Sequence, residues 1–289
     1  MISVVGPGGV GGLLAGLLAR AGIETTVVAR ETTARRIAAE GLTIDSAPFG
    51  RFHVDVPTAT TVPAGSAVVL AVKAYGLADV LPALAAARPS EVLSILNGVG
   101  HAGLLHAALE PDALVACGAI QVEAERLADG TIAHRSPFCL VTAPEGTEQW
   151  RVLRSLTAAG VSTRTRGTEE EVLWGKLRFL APLALLTTIK DRPLGPALDH
   201  DPALTTALLD DVAALATAAG LPTTSGLLAE QLRGFDPAMQ SSLQVDARRG
   251  GPTELDALGT HLLELAARHG LATPALARVV DTIGARLGA

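Results

Sequence analysis

Short apolar runs alternate with helix-like segments through the first half of the chain. The runs are rich in Val and Ile, which is typical of buried strands. The predicted strands are Ile2–Val5, Thr25–Ala29, Ala67–Val72, Val92–Leu96, Val115–Glu123, Thr131–His134, Phe138–Thr142 and Val161–Thr165. The predicted helices are Leu13–Ala21, Leu77–Ala87, a segment from about Ala102, and Glu148–Ala159. Strands that alternate with helices predict a parallel sheet with helices on both faces. The turn Ala128–Gly130 is predicted to join the strands on either side of it as a hairpin.

The pattern changes near Thr168, where the apolar spacing becomes that of helices and stays so to the end. The predicted helices there are Glu170–Ile189, Pro202–Ala219, Thr223–Leu232, Thr253–His269 and a last one after Pro274. A chain of 289 residues is long enough for two domains. We therefore expect one domain over residues 1–166 and an all-α domain over 167–289.

The first predicted strand leads into Gly6-Pro7-Gly8-Gly9-Val10-Gly11 and then a helix. This G-x-G-x-x-G spacing is typical of a dinucleotide-binding turn, in which the glycines allow a tight turn, close approach of phosphate and close helix packing. Helix N–H groups and the helix dipole then favour the anionic pyrophosphate. A plain tight turn is the alternative. The predicted fold class is α/β, with an N-terminal Rossmann-type doubly wound sheet followed by an all-α C-terminal domain. Gly6, Gly8, Gly9, Val10 and Gly11 are candidate cofactor-binding residues.

The end of the second predicted strand indicates which cofactor is bound. An NAD site usually has an acidic residue here, but this chain has Arg30, with Arg35 and Arg36 one turn later. A guanidinium can bind a 2′-phosphate through charge-assisted hydrogen bonds. We therefore predict NADP(H). Glu31 could still reach a ribose, and a solvated charge cluster is the other alternative.

Composition excludes several classes of function. A net charge of −6 and the lack of a basic run argue against a nucleic-acid partner. We find no signal peptide before the first strand and no apolar run near the length of a membrane span, so we expect no membrane association. The chain has two cysteines, Cys117 and Cys139, without metal-site spacing, which favours free thiols in the cytoplasm and no metal. The seven histidines do not have the spacing of metal ligands, and the sequence contains no G-x-S-x-G motif. A metalloenzyme and a hydrolase therefore have little support.

Lysine and asparagine are scarce, which makes the few that occur informative. There are three lysines, Lys73, Lys176 and Lys190, beside twenty arginines. Arginine cannot replace a lysine that must release a proton, because its pKa lies above about 12. Lys73 ends a predicted strand and Lys176 lies on a predicted helix, whereas Lys190 has no further support. A surface lysine is the alternative for each.

Asn97 is the single asparagine and follows a predicted strand, although Asn-Gly is also common in plain turns. Further along, Ser241-Ser242 precedes the segment Thr253-Glu254-Leu255-Asp256. Thr253 and Asp256 resemble a capping box, which would make Glu254 a first-turn acid that faces the helix dipole.

The chain resembles the ketopantoate reductase family over nearly its whole length. The matching places, in order, are the glycine turn with Arg30, Val72-Lys73-Ala74, Asn97-Gly98 with Gly100, Leu173-Trp174-Gly175-Lys176-Leu177, and Ser241-Ser242 with Glu254. The resemblance implies an NADPH-dependent reductase of a 2-oxo acid, most simply of 2-dehydropantoate. It implies that Lys176 is the general acid, that Glu254 is its partner and a substrate contact, and that Ser242 hydrogen-bonds the substrate. It further implies that Asn97 orients cofactor and substrate, and that Arg30 and Lys73 contact the cofactor.

The chain departs from the family pattern at two positions. Family members typically have asparagines four and eight residues after the catalytic lysine, where this chain has Leu180 and Ala184. Pro182 in the same segment is expected to kink the helix. Reduction of another ketone or an imine therefore stays open, as does a catalytically silent NADP(H)-binding sensor. The oligomeric state also stays open, with a homodimer as one alternative.

Overall fold

The computed structural model describes residues 1–288. The strands are β1 Ile2–Val5, β2 Thr25–Val28, β3 Leu42–Ser46, β4 Gly50–Val54, β5 Thr58–Ala59, β6 Ala67–Leu70, β7 Glu91–Ser94, β8 Leu114–Cys117, β9 Ala119–Gln121, β10 Ala124–Arg126, β11 Ile132–His134, β12 Leu140–Ala143 and β13 Ser162–Thr165. The helices of the first half are α1 Gly9–Arg20, α2 Glu31–Glu40, α3 Leu77–Ala86, α4 His101–Leu109 and α5 Arg151–Ala158. Those of the second half are α6 Glu169–Lys190, α7 Leu194–His200, α8 Pro202–Ala218, α9 Ser225–Arg233, α10 Ser242–Arg248, α11 His261–Arg268 and α12 Pro274–Leu287. A 3₁₀ turn, Ala74–Gly76, precedes α3, and a π-helical turn, Asp256–Thr260, precedes α11.

A six-stranded parallel sheet organises the first half of the chain, in the order β5-β2-β1-β6-β7-β8. The central strand β1 pairs with β2 on one side and with β6 on the other, so strand order reverses there. Every residue of β1 and β6 is buried, as in a parallel sheet covered on both faces. In such sheets ligands bind beyond the carboxyl ends of the strands at the reversal point. The predicted Rossmann-type sheet followed by helices is confirmed.

The segment Val115–Glu123 is not one strand, which corrects the sequence prediction. It is divided at Gly118 into β8, at the edge of the parallel sheet, and β9, which pairs with β12 in another sheet. A Cβ at Gly118 would lie 2.7 Å from the carbonyl oxygen of Thr142, so the backbones approach closely at this break. The hairpin around Asp129 is formed by β10 and β11 instead.

The chain forms two compact units. The first contains Met1–Leu96 and His101–Val172, and the second contains Asn97–Gly100 and the chain from Leu173 onward. This division lies six residues after the predicted one between 166 and 167. The sequence did not predict that a four-residue segment beside β7 would belong to the helical unit.

Helix α6 is the central helix of the second unit. Leu177, Ala181 and Leu185 are among its side chains buried in that unit's apolar core, and the helix is continuous through Pro182. We expected no apolar run of membrane-spanning length, but α6 is long and apolar enough by composition. Of its most apolar window, 78% is buried inside the protein, which is the property of a core helix.

Candidate active site

The glycine turn of the first unit joins β1 to α1 as the spacing predicts. Gly6 has a φ of +90°, and a Cβ there would lie 2.9 Å from the backbone of Val72. A Cβ on Gly11 would overlap the carbonyl oxygen of Gly6 and lie 3.2 Å from the Cβ of Ala71. Gly6 thus allows the turn, and Gly11 allows the helix to pack against it.

Gly8 and Gly9 differ in their surroundings. A Cβ on Gly8 would meet nothing within 4 Å, so no contact within the described residues requires the lack of a side chain there. A Cβ on Gly9 would overlap the carbonyl oxygen of Ala124 and lie 2.6 Å from the Cα of Glu125. Val10, the next residue of α1, is half-buried. Gly9 is therefore required by the packing of β10, a constraint that the turn spacing does not reveal.

Strand β10 crosses the start of α1, and sequence reasoning missed this contact. Arg126, its last residue, donates a hydrogen bond from Nη1 to the carbonyl oxygen of Pro7 over 3.4 Å. Burial, and then the charge of Arg36, lower the pKa of Arg126 from its usual value. No sequence signal links a residue after β9 to the glycine turn, because the contact depends on the path of the chain.

The basic residues predicted to contact the cofactor lie at the carboxyl ends of their strands. Arg30 is the N-cap residue of α2, and its exposed guanidinium is 3.7 Å from Asp79. Glu31, which could have competed for a ribose, is paired with Arg35 over 2.6 Å. Lys73 is half-buried and precedes the 3₁₀ turn. The first turn of α1 contains no acidic residue, which suits an anion at its N-terminus.

In the second unit, one asparagine connects the two residues predicted to be catalytic. Lys176 donates a hydrogen bond from Nζ to Oδ1 of Asn97 over 2.8 Å. Asn97 donates from Nδ2 to Oε2 of Glu254 over 3.0 Å. Because the amide accepts from an ammonium and donates to a carboxylate, its orientation is fixed by its partners. The structure thus brings Asn97, Lys176 and Glu254 together.

The backbone around Asn97 packs directly on the helices that follow Glu254. Gly98 has a φ of +84°, and a Cβ there would lie 2.8 Å from the carbonyl oxygen of Ala257. A Cβ on Gly100 would lie 2.9 Å from the ring of His261. Both glycines are needed for this approach, and it explains why residues 97–100 belong to the second unit.

Glu254 has features both of a first-turn acid and of a partner of Lys176. Its carbonyl oxygen accepts a hydrogen bond from the N–H of Leu258, so it lies at the start of a helix, as a first-turn acid would. Its side chain, however, is 3% exposed and accepts from Asn97. A buried carboxylate requires such hydrogen bonds, because burial without them is costly. The helix dipole alone does not account for this arrangement.

Ser242 is the first residue of α10, and its side chain is exposed. Its neighbour Ser241 is the N-cap residue, and Ser241 Oγ accepts from the N–H of Gln244 over 3.1 Å. The hydroxyl groups of Ser241 and Thr187 are 2.7 Å apart, which connects α10 to α6. The substrate role of Ser242 stays a prediction.

The face of α6 beyond Lys176 is apolar. Leu180 packs against the core of the second unit, and Ala184 is 1% exposed. Thr188, four residues after Ala184, donates a hydrogen bond from its hydroxyl group to the carbonyl oxygen of Ala184 over 2.7 Å. Lys190, at the end of α6, is mostly buried and pairs with Asp201 over 3.4 Å, so it has a structural partner.

Comparisons with known proteins identify the family to which the chain belongs. The family model described as "Ketopantoate reductase PanE/ApbA" matches residues 2–144, and the model of its C-terminal part matches residues 170–286. The chain belongs to the ketopantoate reductase family. It is 31% identical to the "Uncharacterized oxidoreductase YkpB" of Bacillus subtilis (strain 168), over 98% of this chain and 96% of that protein.

Solved structures share the fold over the full length. A PanE/ApbA family ketopantoate reductase from Ralstonia eutropha JMP134 superposes with a TM-score of 0.90 at 25% identity, covering 100% of this chain and 99% of the other. A D-mandelate dehydrogenase with NADH and anilino(oxo)acetate superposes with a TM-score of 0.87 at 17% identity, covering 100% and 99%. That similarity shows the fold alone.

Proposed function

We propose that this chain reduces a 2-oxo acid with NADPH, and that 2-dehydropantoate is the first substrate to test. The observation that carries the proposal is the hydrogen-bonded series from Lys176 through Asn97 to Glu254. Binding of a dinucleotide requires neither of these two hydrogen bonds, whereas reduction of a ketone requires a proton donor that is held in place. A silent sensor would have no use for them.

The residues of the first unit fit the cofactor. Gly8 leaves open space where a pyrophosphate would lie, and the N-terminus of α1 would supply N–H groups and a favourable dipole. Arg30 would contact the 2′-phosphate, and Lys73 would contact the cofactor from the end of β6. The bound nicotinamide would supply the hydride.

The residues of the second unit would handle the proton. Lys176 would donate a proton from Nζ to the carbonyl oxygen of the substrate as negative charge develops on it. Asn97 would hold the ammonium group in position through Oδ1. Glu254 would fix the amide of Asn97 and keep a compensating charge near Lys176. Ser242 would hydrogen-bond the substrate.

The side chains along α6 bear on which 2-oxo acid is the substrate. A hydroxyl group on the substrate needs polar partners, but Leu180 and Ala184 present an apolar surface along α6. A site that hydrogen-bonds a hydroxyl rejects the analogue without it by roughly 10⁴–10⁵, whereas an apolar wall discriminates far less. We therefore infer that apolar branched 2-oxo acids are second candidate substrates, and that preference for 2-dehydropantoate is modest. Another ketone or an imine is the broader alternative.

Steady-state kinetics test this directly. The rate of NADPH loss is measured with 2-dehydropantoate and with its deoxy analogue, 2-oxo-3,3-dimethylbutanoate. We expect turnover of both, with kcat/KM values of comparable size. A ratio above about 10⁴ would mean that other residues bind the hydroxyl, and the relaxed pocket would be wrong. No turnover of any 2-oxo acid, with NADPH still bound, would favour the sensor or a different substrate class.

We further propose that the enzyme acts in the cytoplasm and, with 2-dehydropantoate as substrate, in pantothenate biosynthesis. Its two cysteines are free and buried, which suits a reducing compartment. A homodimer is the oligomeric state to test first, by light scattering at several protein concentrations.

A further inference from the structure

Three side chains of the first unit bring a nitrogen, a sulfur and an oxygen ligand together. His106 lies on α4, Cys117 ends β8, and Glu169 begins α6. One ligand atom from each lies within 4.8 Å of the other two. We call these residues the His106 cluster. His106 and Glu169 are 63 positions apart, so no short sequence spacing reveals them.

The distances between His106 and Glu169 suit two neighbouring ligands of a tetrahedral metal ion. Nε2 of His106 lies 3.0 and 3.2 Å from the two carboxylate oxygens of Glu169. Zinc binds His nitrogen and carboxylate oxygen at about 2.0–2.2 Å and Cys sulfur at about 2.3 Å, which separates ligand atoms by roughly 3.3–3.7 Å. The pair His106–Glu169 therefore needs to move by only a few tenths of an ångström.

Groups around the His106 cluster already orient its ligands. Nδ1 of His106 is hydrogen-bonded to Oε1 of Glu110 over 3.0 Å, which directs Nε2 toward Glu169. Metal-binding histidines commonly have such a carboxylate on the other ring nitrogen. Oε2 of Glu169 accepts the backbone N–H of Cys117 over 2.6 Å, and this fixes the carboxylate beside the thiol.

Ser94 places a hydroxyl group beside the side chain of Cys117. It lies opposite Cys117 in the register of β7 and β8 and is fully buried. Its hydroxyl group interacts with the side chain of Cys117. A metal-bound thiolate at Cys117 would accept a hydrogen bond from this hydroxyl.

We propose that His106, Cys117 and Glu169 bind one zinc-class divalent cation, with water as the fourth ligand. Sulfur and imidazole ligands favour zinc over magnesium or calcium. Binding replaces the S–H proton of Cys117, which is released to solvent, and involves no change of oxidation state. The ion would connect α4, β8 and the start of α6 within the first unit. This proposal is independent of the reductase activity.

Cobalt(II) provides the test, since thiolate ligation gives it a charge-transfer absorption band that oxygen and nitrogen ligands do not. Full-length protein is stripped with a chelator and titrated with cobalt(II), and zinc content is measured after dialysis against zinc. We expect one ion per chain, a thiolate band, and a higher Tm with zinc than without. Cys117→Ser should lose the band, and His106→Gln should weaken binding at least tenfold.

Cys139→Ser is the matched control, because Cys139 is also a buried free cysteine but lies outside the His106 cluster. It should keep the band and the stoichiometry. If Cys117→Ser fails to fold, Glu169→Gln is compared with unmutated protein for zinc content. The proposal is overturned if unmutated protein shows no thiolate band. It is also overturned if the His106→Gln and Glu169→Gln variants bind zinc with the same stoichiometry and affinity as unmutated protein.

Discussion

At the scale of single residues, Asn97 holds the proposed proton donor and its acidic partner together. Asn97 became a candidate because it is the single asparagine of the sequence, and Lys176 became one because it is one of three lysines. The hydrogen bonds that join them could not be predicted, because Lys176 and Glu254 are brought to Asn97 by separate helices of the second unit. The exposed Ser242 is the candidate that the structure leaves furthest from an assigned role.

Replacement of Lys176 tests the proposed proton donor. Lys176→Ala should lower kcat by roughly 10²–10⁴ while NADPH still binds, since general acid catalysis contributes about that much. Lys176→Arg should not restore the rate, because a guanidinium does not release its proton at neutral pH. Stopped-flow kinetics and a separate NADPH titration measure both quantities.

Lys190→Ala serves as the control, because Lys190 lies on the same helix and pairs with Asp201 outside the hydrogen-bonded series. It should lower Tm and leave kcat within about twofold. A fully active Lys176→Arg variant would show that the position supplies only positive charge.

At the scale of elements, substitutions of two adjacent glycines at the start of α1 should have different effects, one on stability and the other on NADPH binding. In Gly9→Ala the new methyl group would overlap β10, and overpacking of this kind costs about 1–3 kcal/mol, so Tm should fall. In Gly8→Ala the methyl group meets nothing in the protein, so Tm should hold while NADPH binding weakens at least tenfold. Thermal melts and fluorescence titration give the two readouts. Unchanged NADPH affinity in Gly8→Ala would mean that the pyrophosphate does not approach Gly8.

The connection between α6 and α10 should depend on pH through Asp191. The hydrogen bond from Arg248, 2.6 Å long, lowers the pKa of Asp191 below its usual 3.8. Because the folded pKa is the lower one, the stabilisation is present above pH 3.8 and is lost as pH falls through the folded value. Asp191 has a φ of 49°, which asparagine tolerates, so Asp191→Asn removes the charge with little backbone strain.

We expect Asp191→Asn to lower the free energy of unfolding at pH 6 by about 0.2–1 kcal/mol, the range for exposed ion pairs, and less at high salt. The difference from unmutated protein should shrink as the pH falls below 3.8 and disappear once Asp191 is protonated in the folded protein. Urea unfolding across this pH range measures it. A difference that grows as the pH falls would contradict the assignment.

Elements were predictable where local pattern and final structure agree. β1 and β6 are short runs rich in Val because both faces of the sheet are covered, and α6 was predicted to within one residue at each end. The break at Gly118 was missed, because Val115 to Ile120 reads as one run of small and apolar residues and the approach of Thr142 that divides it is distant in sequence. The packing of β10 on Gly9 was missed for the same reason, since it depends on contacts distant in sequence.

At the scale of the whole molecule, the cofactor is the first property to test. We expect NADPH to bind more tightly than NADH. Arg30→Ala should weaken NADPH binding by about one to two decades, since a charge-assisted hydrogen bond contributes roughly 1.5–3 kcal/mol, and should leave NADH nearly unchanged.

Arg35→Ala is the matched control for this comparison, because Arg35 lies on the same helix but pairs with Glu31. It should change NADPH affinity little. Isothermal titration with both cofactors decides the point, and equal affinity of the unmutated protein for NADPH and NADH would contradict the role of Arg30.

The central claim is that hydride passes from NADPH to the carbonyl carbon of a 2-oxo acid while Lys176 supplies the proton. The most direct measurement uses NADPH deuterated at the transferring position of the nicotinamide, with 2-dehydropantoate as substrate and mass spectrometry of the product. We predict a 2-hydroxy acid with one deuterium at C2, formed by unmutated protein and strongly reduced in Lys176→Ala. Tight NADPH binding with no deuterium in the product, both with 2-dehydropantoate and with 2-oxo-3,3-dimethylbutanoate, would contradict the account.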